Sequence, residues 1–292
     1  MGSNISDQVV SLVEVGLAKT WEDATERWLF EKSDKASLHS DKCIIRWLCP
    51  YLNGLTLSQI DRGVIDDIVL KKLKSGVANS TVNRMLALLR AVLRRASSEW
   101  EWIKTAPRIR LLKEPVRRVR FLTLVEAQRL LSHLPEQIAL MATFSLATGL
   151  RKSNVTGLQW SQIDMQRCVA WVHPDQSKTR KAIAVPLNLD AMRVLALCKG
   201  RHPVYPFASP GHMCVSISTS VWKRALADAG IEDFRWHDLR HTWASWHVQN
   251  GTPLNVLQEL GGWESSEMVR RYAHFSAGHL VAYAERLPKV IE

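Results

Sequence analysis

His237-Asp238-Leu239-Arg240-His241, followed by Trp243, Ala244 and Val248, reads as the opening of a helix with one side already assigned to a core. Residues at i and i+3 share a helical face, so His237 and Arg240 project together while Trp243, Ala244 and Val248 serve the buried side. A lone His/Arg pair at this spacing is usually surface polarity or a satisfied core group. His237 and His241 also stand at i and i+4, a zinc-binding spacing. The metalloprotease form needs Glu where Asp238 stands, and no third ligand is evident.

Outward from this helix, the second half of the chain is helical with one interruption. Thr123 and Glu126 form a capping box that opens a helix over 124–133, and a further helix over 136–147 ends at Gly149. Val169–Val172 and Ala182–Val185 are short, β-rich runs that predict two strands, with a polar, hairpin-like segment from His173 to Lys181 between them. Helices are predicted over 189–198, 216–229, 237–249, 253–260, 265–273 and 277–287. The last is amphipathic.

The first hundred residues carry no strand signal. Thr20 and Asp23 start one helix, a second fits 38–49 before Pro50, and a third fits 61–74 behind Asp61 as cap. A fourth runs from Ser80 to Glu99, with Val82, Leu86, Leu89 and Leu93 inward and Arg84, Arg90, Arg94 and Arg95 outward. Residues 104–120, bracketed by Pro107 and Pro115, look like an extended basic linker with Arg117, Arg118 and Arg120 at its end. The fold class expected is mainly α. An all-helical domain spans 1–103, a linker 104–120, and an α-rich domain with a small antiparallel β-sheet 121–292.

Composition is consistent with this layout. The 292 residues are 46% hydrophobic and carry a net charge of +11, which favours a polyanionic partner without choosing between nucleic acid and an acidic membrane surface. The excess is +7 over residues 1–120 and +4 over the rest. Five cysteines without a C-x-x-C pair signal neither a disulfide framework nor a thiolate metal site, and fit a reducing cytosol. No secretory signal and no apolar stretch of membrane-spanning length is present, so no membrane is expected.

Two further motifs bear on chemistry. Thr148-Gly149-Leu150-Arg151 places an arginine just after a helix-ending glycine, with Ser153 or Asn154 able to cap the next short helix. A guanidinium fixed there suits bidentate phosphate contact, the alternative being a structural salt bridge. Leu260-Gly261-Gly262-Trp263-Glu264 closes one helix and starts another, and Tyr272 follows nine residues after Trp263. A phenol is a poor nucleophile at neutral pH unless cations or a base flank it.

In this order and spacing, T-G-L-R, then H-D-L-R-H, then G-G-W with its tyrosine, resemble the tyrosine recombinase (phage integrase) family. The resemblance covers about residues 75–287 and is looser in the first domain, where Asn79-Ser80-Thr81-Val82-Asn83-Arg84 is similar to the family's SAM-like core-binding domain. It implies that Arg151 and Arg240 hold the scissile phosphate. His237 would hydrogen-bond it and help manage the nucleophile's proton, and Tyr272 is the nucleophile. Lys178 matches the lysine of the family's β-hairpin, the general acid for the leaving 5′ oxygen, with Lys181 as a nearby competitor. Trp263 stands where many members have a second histidine; it can donate a hydrogen bond but cannot shuttle a proton. Asn154 falls where many carry Asp or Glu.

The implied reaction joins Tyr272 to a 3′ phosphate and frees a 5′-hydroxyl. It conserves bond energy, so neither ATP nor any other cofactor and no divalent metal is required. The implied partners are a double-stranded DNA recombination site, three further copies of the chain in a homotetrameric synaptic complex, and, in some systems, an accessory directionality factor. Asn83 and Arg84, with Arg117, Arg118 and Arg120, are expected against DNA. The helical domain begins near residue 5, which leaves no space for the arm-binding domain many phage integrases carry and resembles the two-domain Xer-type layout, unless Gly2-Ser3 marks a trimmed start. Two rival functions are a type IB topoisomerase-like enzyme, which relaxes one duplex, and a non-catalytic DNA-binding protein.

Overall fold

The structure is a computed structural model, and it describes residues 18–115, 119–176, 181–208, 217–276 and 284–288. The chain divides into two compact units, residues 1–116 and 117–292.

The first unit is all helical. Helix α1 (Trp21–Glu31) starts at a capping box between Thr20 and Asp23; α2 covers Leu38–Leu52, α3 Arg62–Lys74 behind the Asp61 cap, and α4 Asn79–Ser98. The longest of them, α4, packs against the other three. Its Val82, Leu86, Leu89 and Leu93 join Trp21, Leu48 and Leu52 in the core. Two expectations are corrected by this unit. Helix α2 does not stop before Pro50 but carries it in its last turn, where one missing N–H costs a single hydrogen bond. Residues 104–115 are no free linker: Ile109 is buried, and Ala106 and Leu112 pack against the same core.

Asn83 is the reason that segment is held. It is buried, its Nδ2 donates to the Leu112 carbonyl at 2.9 Å and to Glu114 Oε1 at 2.7 Å, and its Oδ1 accepts from Leu112 N at 2.8 Å. Asn79 adds a bond from Nδ2 to the Lys113 carbonyl at 2.8 Å. The expected DNA-facing role of Asn83 therefore does not fit its position, whereas Arg84 beside it is exposed. A buried amide with matched backbone partners is a fastening, because each broken bond would leave a polar group unsatisfied.

The second unit holds eight helices and one small sheet among its described residues. Helices α5 (Leu124–Ser132), opened by the Thr123/Glu126 capping box, and α6 (Glu136–Thr148) precede the short α7 (Lys152–Thr156). Strands β1 (Ile163–Asp164), β2 (Val169–Val172) and β3 (Ile183–Pro186) pair antiparallel in the order β1-β2-β3, with Ala170 opposite Val185. The two-residue β1 is too short to show in the sequence. Then follow α8 (Leu189–Cys198), α9 (Thr219–Asp228), α10 (Asp238–Gln249), α11 (Leu254–Gly261) and α12 (Ser266–Arg270). The helix expected over 265–273 breaks at Arg270, and residues 273–276 form a 3₁₀ turn, so Tyr272 sits at a junction. The segment expected over 277–287 lies largely outside the described residues.

Helix α10 sets the position of the site. It packs on α6, and its Leu239 belongs to the main core while Trp243, Ala244 and Val248 build a second cluster with Leu257, Val269 and Tyr272. A helix covered on two sides buries polar positions too, and Asp238, Arg240, Thr242 and Ser245 are all buried.

Candidate active site

Arg240 is the centre of the site and is only 5% exposed. Its Nη1 donates to the Gly149 carbonyl at 2.6 Å and its Nη2 to the Gly261 carbonyl at 2.6 Å. The guanidinium carbon lies 4.2 Å from the centroid of the Trp263 ring. These contacts explain both glycine motifs. Gly149 caps α6 in the left-handed region (φ 65°), and a Cβ there would overlap the Trp243 ring. A Cβ on Gly261 would overlap the Trp263 ring, and Gly262 takes φ 59° with Ile183 against it. Glycine is required where the chain turns left-handed or where a ring occupies the Cβ position. The two carbonyls sit at the C-terminal ends of α6 and α11, where the helix dipole attracts a cation.

Arg151 stands at the N-cap of α7, half-buried. Among the described residues its side chain makes no salt bridge and no hydrogen bond, while its carbonyl accepts from Asn154 N at 2.9 Å and Val155 N at 3.1 Å. The expected capping by Ser153 or Asn154 is absent: the cap residue is Arg151 itself, without a side-chain cap bond, and Asn154 is buried inside the helix. Asn154 donates from Nδ2 to the Gln176 carbonyl at 2.9 Å. Gln162 Nε2 reaches Gln176 Oε1 at 2.7 Å and the Trp171 carbonyl at 2.8 Å. The amide at position 154 is thus a tether to the β2–β3 connection, a use that a carboxylate could not serve.

Among the described residues, no carboxylate figures in what shifts Arg151 or Arg240. Burial, then the nearby Arg151, pulls the Arg240 guanidinium down to about 10, still protonated at neutral pH. Burial lowers Arg151 as well. His237, just ahead of α10, is pushed below its ordinary value by desolvation and then by Arg240. Cations that lower one another's proton affinity prefer an anion among them. The carboxylate next to His237 in the chain, Asp238, is taken by Arg235, which bonds it from its backbone N at 2.8 Å, from Nε at 3.2 Å and from Nη2 at 3.0 Å.

Tyr272 is 1% exposed, against the Trp263 ring at 5.9 Å. Its hydroxyl lies 2.6 Å from His241 Nδ1. Burial drives the phenol up to about 12 even though Arg240 and Arg271 oppose it. No hydrogen bond or ring contact joins Tyr272 to His237; the His237 ring instead stands edge-on to His241 at 5.2 Å. Sequence reasoning named His241 only as a zinc alternative and so missed the partner of the tyrosine. The H-D-L-R-H motif places His241 one turn beyond His237 but carries no sign of its partner 31 residues away. No group of three or more His, Cys, Asp or Glu suited to a metal ion occurs among the described residues.

The structure therefore brings Arg151, His237, Arg240, Trp263 and Tyr272 into one cluster. Lys178, Arg117 and Arg118 lie outside the described residues. Lys181, the competitor of Lys178, lines a pocket with Trp263 and Gly262. Arg120 is partly committed, donating to the Phe121 carbonyl at 2.7 Å and to Glu126 Oε1 at 3.1 Å.

Two arginines, a histidine and a tyrosine thus lie together in the second unit. Residues 120–279 match the phage integrase family, and the chain belongs to that family. It is an enzyme of the site-specific tyrosine recombinase class. The integrase of Salmonella phage P22 is 40% identical over 310 aligned residues, covering 93% of this chain and 80% of that protein. A shufflon-specific DNA recombinase from Escherichia coli is 28% identical, covering 86% of this chain and 67% of that protein. The fold matches a lambda integrase dimer bound to a COC′ core site with a TM-score of 0.76 and 21% identity, covering 98% of this chain and 83% of that one. Among the described residues no helix is long and apolar enough to cross a membrane.

Proposed function

We propose that the protein cuts and rejoins double-stranded DNA at a specific site through a covalent bond to Tyr272, and that it serves a phage, prophage or other mobile element. One observation carries this: Arg151, His237 and Arg240 converge beside a tyrosine hydroxyl, and the described carboxylate that acts on the cluster, Asp238, reaches His237 and is itself bonded by Arg235. A phosphodiester supplies the missing anion. Arg240 has two N–H groups on carbonyls, which fixes its plane and leaves up to three donors for phosphate oxygens among the described contacts. Arg151 offers a second fork, His237 a hydrogen bond, and the Trp263 indole a donor with no acceptor among the described residues.

In the reaction Tyr272 gives up its hydroxyl proton as its oxygen bonds to phosphorus, and the bond to the 5′ oxygen breaks with a proton from Lys178. This leaves a 3′-phosphotyrosyl link and a 5′-hydroxyl. A 5′-hydroxyl from the partner strand reverses the step. Charge neutralisation by groups fixed in advance is what such a site contributes most. The exposed Arg84 and the basic segment 117–120 contact the DNA backbone. Four copies act together on two sites, a reading supported by a lambda integrase tetramer bound to a Holliday junction. The reaction takes place in the cytoplasm.

The test is a nicked suicide substrate carrying the repeats that flank the gene's own element. A covalent protein–DNA adduct should form with the wild type and vanish in Tyr272→Phe. Adduct formation by Tyr272→Phe would show the wrong nucleophile, and no adduct on any cognate site would end the recombinase reading. Relaxation of supercoils without joining of two sites would favour the topoisomerase-like alternative.

A further inference from the structure

We propose that His241 is a further catalytic residue: its Nδ1 receives the proton of the Tyr272 hydroxyl as that oxygen attacks the phosphate. The inference rests on Tyr272 being the nucleophile.

Three observations support it. His241 Nδ1 is 2.6 Å from the phenolic oxygen, the contact distance a direct proton transfer needs. The expected proton manager, His237, faces the His241 ring rather than Tyr272. His241 also lines a pocket of about 670 Å³, so a proton taken from the buried phenol can pass on to solvent.

Burial and the cations around the imidazole favour its neutral form, and the Asp238 carboxylate opposes them. Asp238 opens its helix and His237 stands at the N-cap, Arg235 precedes that helix, Arg271 comes from the segment after α12, and Arg120 and Asp233 line the same pocket. Burial first, and His237 next, hold the imidazole down to about 4, so it is unprotonated at neutral pH. For Nδ1 to accept, the ring proton resides on Nε2. The buried phenol, held up to about 12, does not ionise by itself and needs a base at the moment of attack. As the oxygen bonds to phosphorus its proton becomes acidic, the O–H bond breaks, and Nδ1–H forms. The O–H electron pair stays on the oxygen, which forms the O–P bond with a lone pair. The proton given to the leaving 5′ oxygen comes from elsewhere, so the two transfers remain separate. When the tyrosine is later displaced, His241 takes a proton back through the same pocket and gives it to the departing phenolate.

The test measures single-turnover adduct formation on the nicked substrate between pH 6 and 9 for wild type, His241→Asn and His241→Ala. Asparagine can keep a hydrogen bond near the Nδ1 position but cannot take a proton. The wild-type rate should be nearly flat. His241→Asn should be slower at pH 7 by about 10²-fold or more. Its rate should climb about tenfold per pH unit, and imidazole in the buffer should rescue His241→Ala. A substrate with sulfur in place of the bridging 5′ oxygen, which needs no proton on the leaving group, should not restore His241→Asn.

Wild-type-like rates for His241→Asn would overturn the proposal, leaving His241 as a positioning residue. A faster His241→Ala would also overturn it, showing that the contact holds Tyr272 at rest. Rescue by the sulfur substrate would move His241 to the leaving-group side and overturn it as well. Absence of an adduct with the wild type itself would instead strike the underlying reading of Tyr272.

Discussion

Replacing Gly149 with alanine tests whether the T-G-L-R motif needs glycine both for its left-handed turn and for the Trp243 ring packed against it. The substitution places one methyl group where the chain is left-handed (φ 65°) and where the Trp243 ring already lies. The left-handed conformation costs an alanine about 1–2 kcal/mol. Forcing an extra methyl into a filled core costs about 1–3 kcal/mol more. The sum is a loss of about 2–5 kcal/mol, measured as the change in unfolding free energy from urea titrations. A double-mutant cycle separates the two parts. Trp243→Leu removes the ring atoms that the methyl meets, so the steric part should be recovered and the backbone part should remain. The cycle should therefore show a coupling of at least about 1 kcal/mol. A Gly149→Ala protein within about 0.5 kcal/mol of wild type would refute the reasoning, and so would strict additivity with Trp243→Leu.

Three other outcomes are expected. Because the imidazole of His241 is held near 4 while an unfolded one titrates near 6.5, the unfolded chain binds its proton first as pH falls. Stability is therefore lost between about pH 6.5 and 4, by up to about 3 kcal/mol, with His237 acting in the same direction. Urea midpoints should fall more steeply across that window in wild type than in His241→Asn. Asn154→Asp turns a donor toward the Gln176 carbonyl into an acceptor and should lower the unfolding free energy by about 1–3 kcal/mol; an unchanged thermal transition would count against the tether. In DNA binding, Arg84→Glu should reduce the slope of log affinity against log salt by about 1 or more. Asn83→Ala should destabilise the first unit and leave that slope unchanged, so a slope altered by Asn83→Ala would return that residue to the DNA surface.

What the sequence revealed was local, and what it concealed was mostly a matter of partners. The capping boxes at Thr20 and Thr123 and the turn at Gly149 announce themselves because cap chemistry acts over three or four residues. The inward stripe of α4 is legible for the same reason, since helical periodicity repeats along one element. Asn83 was misassigned because its acceptors lie about thirty residues away, in a segment whose prolines and charges look like a free linker. His241 shows the same limit at the site. Its partner Tyr272 is brought close by the break after α12, and nothing at position 241 alone distinguishes it from a metal ligand or a surface group. The glycines of G-G-W were read as a helix end. That they make room for Trp263 beneath Arg240 depends on the way α10 and α11 meet.

The double anchorage of Arg240 has a consequence for telling living recombinases from silent descendants. A lineage that lost its chemistry but kept its fold would still need a cation between the ends of α6 and α11, because two buried carbonyls depend on it. An arginine at 240 is accordingly poor testimony of activity. The hydroxyl of Tyr272 is better testimony, since a phenylalanine would fill the same space and forfeit only the bond to His241. A decayed copy should drift first at 272 and 241, and last at 240.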